Sequence, residues 1–120
     1  RLEMVAYIPK KQSGKYKAVA SGAITNGKPV LVNANGTVSQ VSGSVTLTTE
    51  NFIGIASGGT YASAAEATID VVGTVNKDQT SLTAGQTYFV QTDGTLGTSA
   101  DDPSVVAGTA ISATELIVKG

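Results

Sequence analysis

A catalytic or metal-binding site needs side chains that trade protons or hold cations, and this sequence supplies a narrow set. Cysteine and histidine are both absent. That excludes disulfides, thiol catalysis, Cys/His zinc sites and every histidine-based triad or general base. The serines have no candidate base beyond lysine and no Gly-x-Ser-x-Gly elbow to expose a nucleophile, so hydrolysis is not expected. Gly54 to Gly59 is glycine-rich but lacks the Lys-Ser/Thr pair and the following helix that grip a phosphate. Asp93, Asp101 and Asp102 are hard oxygen ligands of the kind that gather around calcium. Without Asp-x-Asp-x-Asp-Gly spacing they read instead as an exposed acidic loop ended by Pro103. Asn35-Gly36-Thr37 fits a glycosylation acceptor, but the same residues are better explained as a hairpin turn. Tyr61 and Tyr88 have rings that could stack on sugars, yet Tyr88 sits in an alternating strand and reads as packing. No catalytic residue, metal or cofactor is therefore expected, and the chain does not read as an enzyme.

Charge is unevenly placed. Residues 1–28 hold Arg1, Lys10, Lys11, Lys15, Lys17 and Lys28 against Glu3, a net +5. Residues 29–120 hold Lys77 and Lys119 against eight acids, a net −6. A basic arm on an acidic body suits an acidic partner, and another copy of the same body qualifies. Nucleic acid is not expected, because the body would repel phosphate and no aromatic–arginine interleaving supports it. A membrane is not expected either: the longest uncharged run, Pro29 to Thr49, is full of Asn, Gly, Ser, Thr and Gln.

These residues must be positioned by strands. At 120 residues the chain makes about one domain. Gly, Ser and Thr fill 41 positions, too many for a helical protein, while 41% hydrophobic content is too much for a disordered one. Extended segments are predicted at Tyr16–Ala20, Pro29–Asn33, Thr37–Val41, Asn51–Ala56, Ala67–Val75, Gln86–Gln91, Ser104–Ala110 and Thr114–Lys119. Asn35-Gly36 and Asp93-Gly94 predict type I′ hairpin turns with positive φ at both central residues. Only Thr60–Ala67 resembles a helical turn. The expected fold is all-β, a compact barrel or sandwich of short strands.

An internal repeat sharpens this. Residues 26–38 align without gaps on 84–96, matching Gly27 with Gly85, Val32 with Val90, Gly36 with Gly94 and Thr37 with Thr95, each 58 residues apart. Gly54-Ile55-Ala56 echoes Gly108-Thr109-Ala110, and Thr68–Gly73 echoes Glu115–Gly120. The chain therefore divides into a basic arm, 1–17, and a single all-β domain, 18–120, with a pseudo-repeat at about 24–73 and 82–120. The second copy is shorter, so two related units packed together fit better than identical solenoid turns.

Ala20-Ser21-Gly22-Ala23-Ile24, the Gly-x-x-x-x-Val-x-x-Asn-Gly-Thr hairpin, Asn51–Ala56, Leu82–Leu96 and the ending Gly108–Gly120 together resemble modules of tailed-phage structural proteins. Such modules occur in fibre proteins, especially of marine phages, and in small capsid-decorating proteins. The resemblance covers residues 18–120 and carries no catalytic residue. It implies a virion component made in the host cytoplasm. A tail fibre would usually continue into shaft or coiled-coil sequence, and the absence of both favours a capsid decoration, or cement, protein on the capsid surface over a tail location. Two alternatives stay open: a fibre-type receptor- or glycan-binding module, and a bacterial surface or matrix module.

Weakly charged β domains with Thr/Val/Ala faces leave edges and apolar patches that association covers, so a homo-oligomer is expected, a trimer by the symmetry of a capsid. The expected partners are further copies and the major capsid or another virion protein. Val5, Tyr7, Ile8, Lys10, Lys11, Lys15 and Lys17 are the residues expected to bind a partner, with Pro9 holding the segment extended for strand addition to a neighbour's edge. Asn35, Gly36, Asp93 and Gly94 are expected as structural turns. Met4 would suit a natural start, and Lys119-Gly120 a natural end. Because no ion is expected, thermal melting should be the same with and without a strong chelator; a drop of several degrees would show that the acidic loop holds one.

Overall fold

β-Branched and apolar residues alternate with polar ones through most of this chain, and wherever they do a short strand forms. The structure, a computed structural model, describes residues 15–119. Ten strands follow one another: β1 Lys15–Val19, β2 Pro29–Val32, β3 Val38–Gln40, β4 Phe52–Ser57, β5 Glu66–Val71, β6 Val75–Asn76, β7 Thr87–Val90, β8 Leu96–Gly97, β9 Val106–Ala110 and β10 Leu116–Val118. No helix forms among the described residues, and Thr60–Ala67 is a turn running into β5. The stretch Ala67–Val75, expected as one strand, is broken by a turn in which the Thr74 N–H donates to the Val71 carbonyl and Gly73 takes φ +94°. That break sends the chain from one sheet to the other.

The strands form two antiparallel sheets, ordered β1-β5-β4-β2-β3 and β6-β10-β9-β7-β8. They are built alike. Val30 pairs with Gly54 and Leu31 with Phe52 across a register break; Tyr88 pairs with Gly108 and Phe89 with Val106 across the same break. Gly54 then faces Val71 and Ala56 faces Ile69, as Gly108 faces Val118 and Ala110 faces Leu116. Two related hairpin-containing halves thus make a sandwich of short strands. It is not a closed barrel, because each sheet keeps two edge strands.

The halves pack unequally. Leu31, Val41, Leu47 and Ile55 of the first half share one cluster with Tyr88, Val90, Ala107, Ala110, Leu116 and Val118 of the second. On the opposite face of the first sheet a separate cluster joins Val30, Val38, Ala56, Ala67 and Ile69 to Ala20 and Ile24. The covering segment is pinned by Ser21 N–H to the Val38 carbonyl and by reciprocal backbone bonds between Ile24 and Tyr61. One first-half sheet therefore has apolar residues on both faces, and its sequence loses strict alternation there.

The hairpin turns differ from the type I′ expectation. In each, one N–H closes a three-residue loop (Asn33 to the Thr37 carbonyl, 2.8 Å; Gln91 to the Thr95 carbonyl, 2.8 Å). Positive φ occurs only at Gly36 (+88°) and Gly94 (+92°). Asn35 and Asp93 instead accept from the N–H and hydroxyl of Thr37 and Thr95, which holds the type I turn that precedes the glycine. The two glycines are not equivalent in space. A Cβ on Gly36 would meet nothing within 4 Å, whereas one on Gly94 would strike the Val41 carbonyl oxygen of the first half. Gly36→Ala should therefore cost about 1 kcal/mol, the left-handed penalty alone. Gly94→Ala should cost roughly twice that or more in denaturant melts, and equal losses would contradict this contact between halves.

Candidate functional site

Of the seven residues expected to bind a partner, Val5, Tyr7, Ile8, Lys10 and Lys11 lie outside the described residues. Lys15 and Lys17 belong to β1, so the sheet begins inside the stretch expected as an arm. Among the described residues β1 pairs only with β5, from Lys15 opposite Asp70 to Val19 opposite Glu66, and no described strand lies on its other side. It is the longest edge strand, five residues against three in β3 and two each in β6 and β8. Very short edge strands resist pairing with other chains; β1 lacks that protection and carries two lysines instead. Tyr16 (45% exposed) and Val19 (49% exposed) stand on this strand, joined by the exposed Lys15 and Lys17. The result is an edge that offers backbone hydrogen bonds, two apolar side chains and the Lys17 cation.

Behind the edge is a group that sequence reasoning missed. Asp70 is 1% exposed one residue before the end of β5, opposite Ile55 and on the face turned toward the second sheet. Its carboxylate pairs with the Lys15 ammonium and accepts from Asn76 Nδ2 at 3.0 Å. Asn76, fully buried in β6, also donates to the Ala56 carbonyl (3.2 Å), while its Oδ1 accepts from the Asp78 N–H and from Gln79 Nε2. Gln79 donates in turn to the Gly27 carbonyl at 2.8 Å. Among the described residues no buried side-chain polar atom lacks a partner. A buried polar network in which every member is paired fixes geometry. The signal in the sequence was an aspartate within Thr68-Ile69-Asp70-Val71-Val72, at the place the repeat gives to Ile117.

The remaining chemical candidates are structural in placement. Tyr88 is buried and its hydroxyl accepts from the Thr83 N–H; the Tyr61 hydroxyl donates to the Ser57 carbonyl at 2.6 Å. The Tyr88 ring is buried, and the half-buried Tyr61 ring packs against the Ala20–Ile24 cluster. Asn35, Gly36, Asp93 and Gly94 form the two turns described above. Asp101 accepts from the N–H and hydroxyl of Thr92, tying its loop to the second hairpin. Among the described residues no group of three or more carboxylates comes together to hold a metal. No described helix is long and apolar enough to cross a membrane. Compared with known proteins, the chain matches no family model and no curated relative.

Two carboxyls are held below the ordinary aspartate value of 3.8. For Asp93 the main cause is the Thr95 hydroxyl, followed by the Thr95 N–H. For Asp101 it is the Thr92 N–H, then the Asp102 N–H and the Thr92 hydroxyl. A lowered folded-state value means stability that is present above the unfolded pKa and is lost as pH falls through the folded one. The loops should therefore weaken only below about pH 4. Carboxyl titration by NMR should place both groups under 3.8, and Thr95→Val should move Asp93 back up; an Asp93 curve unchanged by that substitution would contradict the assignment.

Proposed function

We propose that this chain is a structural protein of a phage particle, a capsid decoration or cement protein that works by association and not by catalysis. The observation that carries the reading is the five-residue edge of β1, with Tyr16 and Val19 exposed on it and the lysine-rich stretch running directly into it. Strand addition at such an edge supplies main-chain hydrogen bonds, and the cations supply attraction to an acidic surface. Copies of this chain are acidic over residues 29–120, which suits self-association into a closed ring, a trimer on a surface with threefold and sixfold axes. Single exposed ion pairs contribute less than about 1 kcal/mol each. Several copies held on one particle multiply such weak contacts through effective concentration.

The test uses capsids of the phage that encodes the chain. Wild type should sediment with them at low salt and be released as salt rises, because exposed charges are screened beyond about 8 Å at physiological ionic strength. Lys10→Glu/Lys11→Glu should bind weakly at every salt concentration while melting like wild type. Sedimentation equilibrium of the free protein should give a trimer. Equal capsid binding by the double variant, or binding indifferent to salt, would overturn the mechanism.

A further inference from the structure

Inside the chain, one contact joins the halves. The first-sheet face with Leu31, Ile55 and Asp70 lies on the second-sheet face with Val90, Ala107 and Val118. Each face has a counterpart in the other half. By register, Leu31, Ile55 and Asp70 correspond to Phe89, Thr109 and Ile117, on the side of the second sheet turned away from the first. Val90, Ala107 and Val118 correspond to Val32, Ile53 and Val71, which with Tyr16 and Val72 line an open apolar groove of about 610 Å³. The floor inside the chain is 0% exposed at all three positions. Among the described residues nothing covers the groove in that way: Val32, Ile53 and Val71 are half-buried, and Val72 is 58% exposed. Phe89, Thr109 and Ile117 are half-buried as well. The described body thus ends in one unfilled floor and one unused lid.

The side chains on these two surfaces match each other. In the contact inside the chain, the Asp70 carboxylate accepts from the Asn76 amide at 3.0 Å. Asn76 lies opposite Leu116 as Tyr16 lies opposite Ile69, so Tyr16 holds in the groove the place that Asn76 holds on the covered floor. Ile117 holds the place of Asp70. Setting the Ile117 face on the groove in the same sense brings Ile117 against Tyr16, so an apolar pair stands where the chain's own contact has a polar one. Only one of the two replacements would have stranded a buried polar group; both together leave a contact that is apolar throughout. We infer that a second copy of this chain lays its Phe89, Thr109 and Ile117 face on this groove, repeating between copies the stacking that joins the halves. Val41 and Leu47, from the loop after β3, add to the lid inside the chain, whereas the loop 98–104 after β8 has no leucine, valine or isoleucine. The contact between copies is therefore the smaller one and forms as concentration rises. It joins unlike surfaces, so it runs head to tail and closes as a ring or continues as a filament. The inference rests on the proposed self-association for there being an oligomer, and it names the surfaces that build it.

The test spoils one surface at a time in the full chain, with a charge at a position that is not buried. Val72→Glu acts on the groove and Thr109→Glu on the opposing face. In sedimentation velocity wild type should associate with concentration, and each variant alone should stay monomeric while melting like wild type. An equal mixture of the two variants keeps one intact face and one intact groove, so it should form a dimer and nothing larger. Assembly of either variant like wild type, a mixture that stays monomeric, or a wild type monomeric at every concentration would each overturn the inference. Cross-linking reads the same contact without a destabilising charge, since the chain has no native cysteine. Copies with Val72→Cys are mixed with mass-tagged copies carrying Thr109→Cys and treated with a short bis-maleimide. The mixed product should exceed each like-with-like product by about tenfold, where chance encounter gives about twofold; a ratio near chance would overturn the inference. An oligomer that survives Thr109→Glu would remove this interface while leaving self-association standing, and capsid attachment is read by neither experiment.

Discussion

A buried carboxylate organises this molecule. Asp70 sits where the repeat places an isoleucine in the other half, and a charge at 1% exposure is tolerated only with partners on hand. Those partners come from different places: Lys15 from the edge strand of the same sheet, Asn76 from the first strand of the other. Satisfying Asp70 therefore sets the register of β1 on β5 and brings β6 against the first sheet. Asn76 extends the same constraint to the Ala56 carbonyl and, through Gln79, to the turn at Gly27. A Cβ on Gly27 would meet the Asp78 carbonyl oxygen at 2.5 Å, so the turn and the network leave each other only glycine's width.

From that junction the inequality of the halves follows. Both carry one architecture, but the face of the first sheet turned toward the second, with Leu31 and Ile55, becomes the lid of the second half's core. The corresponding face of the second sheet carries Phe89, Thr109 and Ile117, all half-buried. Stacking two similar units in this head-to-tail sense gives a body 49 Å long and 24 Å thick. It also leaves unmatched surfaces at the ends, the physical circumstance in which small β modules associate.

Much of this was legible in the residues. Asn35-Gly36 and Asp93-Gly94 marked both hairpins, and the 58-residue offset of Gly27 and Gly85 anticipated two sheets of like order. The turn type was not legible, because Asn-Gly serves both two- and three-residue loops, and the closing bond from the Asn33 N–H to the Thr37 carbonyl separates them. The break at Gly73 was hidden inside an apolar run whose alternation continues across it into β6. β8, two residues long, left no periodic signal at all. The Asp70–Asn76 junction was unreadable for a different reason. The two residues are six apart in sequence and lie in different sheets, so only the turn between them creates the contact. The lysines of the basic stretch were plain in the composition; that Lys15 has a structural partner was not.

The joining of two thin sheets rests on one polar junction, Asp70 with Asn76. The direct test is a double-mutant cycle on Asp70→Ala and Asn76→Ala, each variant and the double variant unfolded in denaturant. Groups that share one network couple by about 0.5–3 kcal/mol, whereas independent sites add to within about 0.5 kcal/mol. The account predicts a coupling of about 1 kcal/mol or more, with each single change already costing about 1–3 kcal/mol for the polar groups it strands. Strict additivity of the two losses would contradict the claim that this junction holds the two sheets as one body.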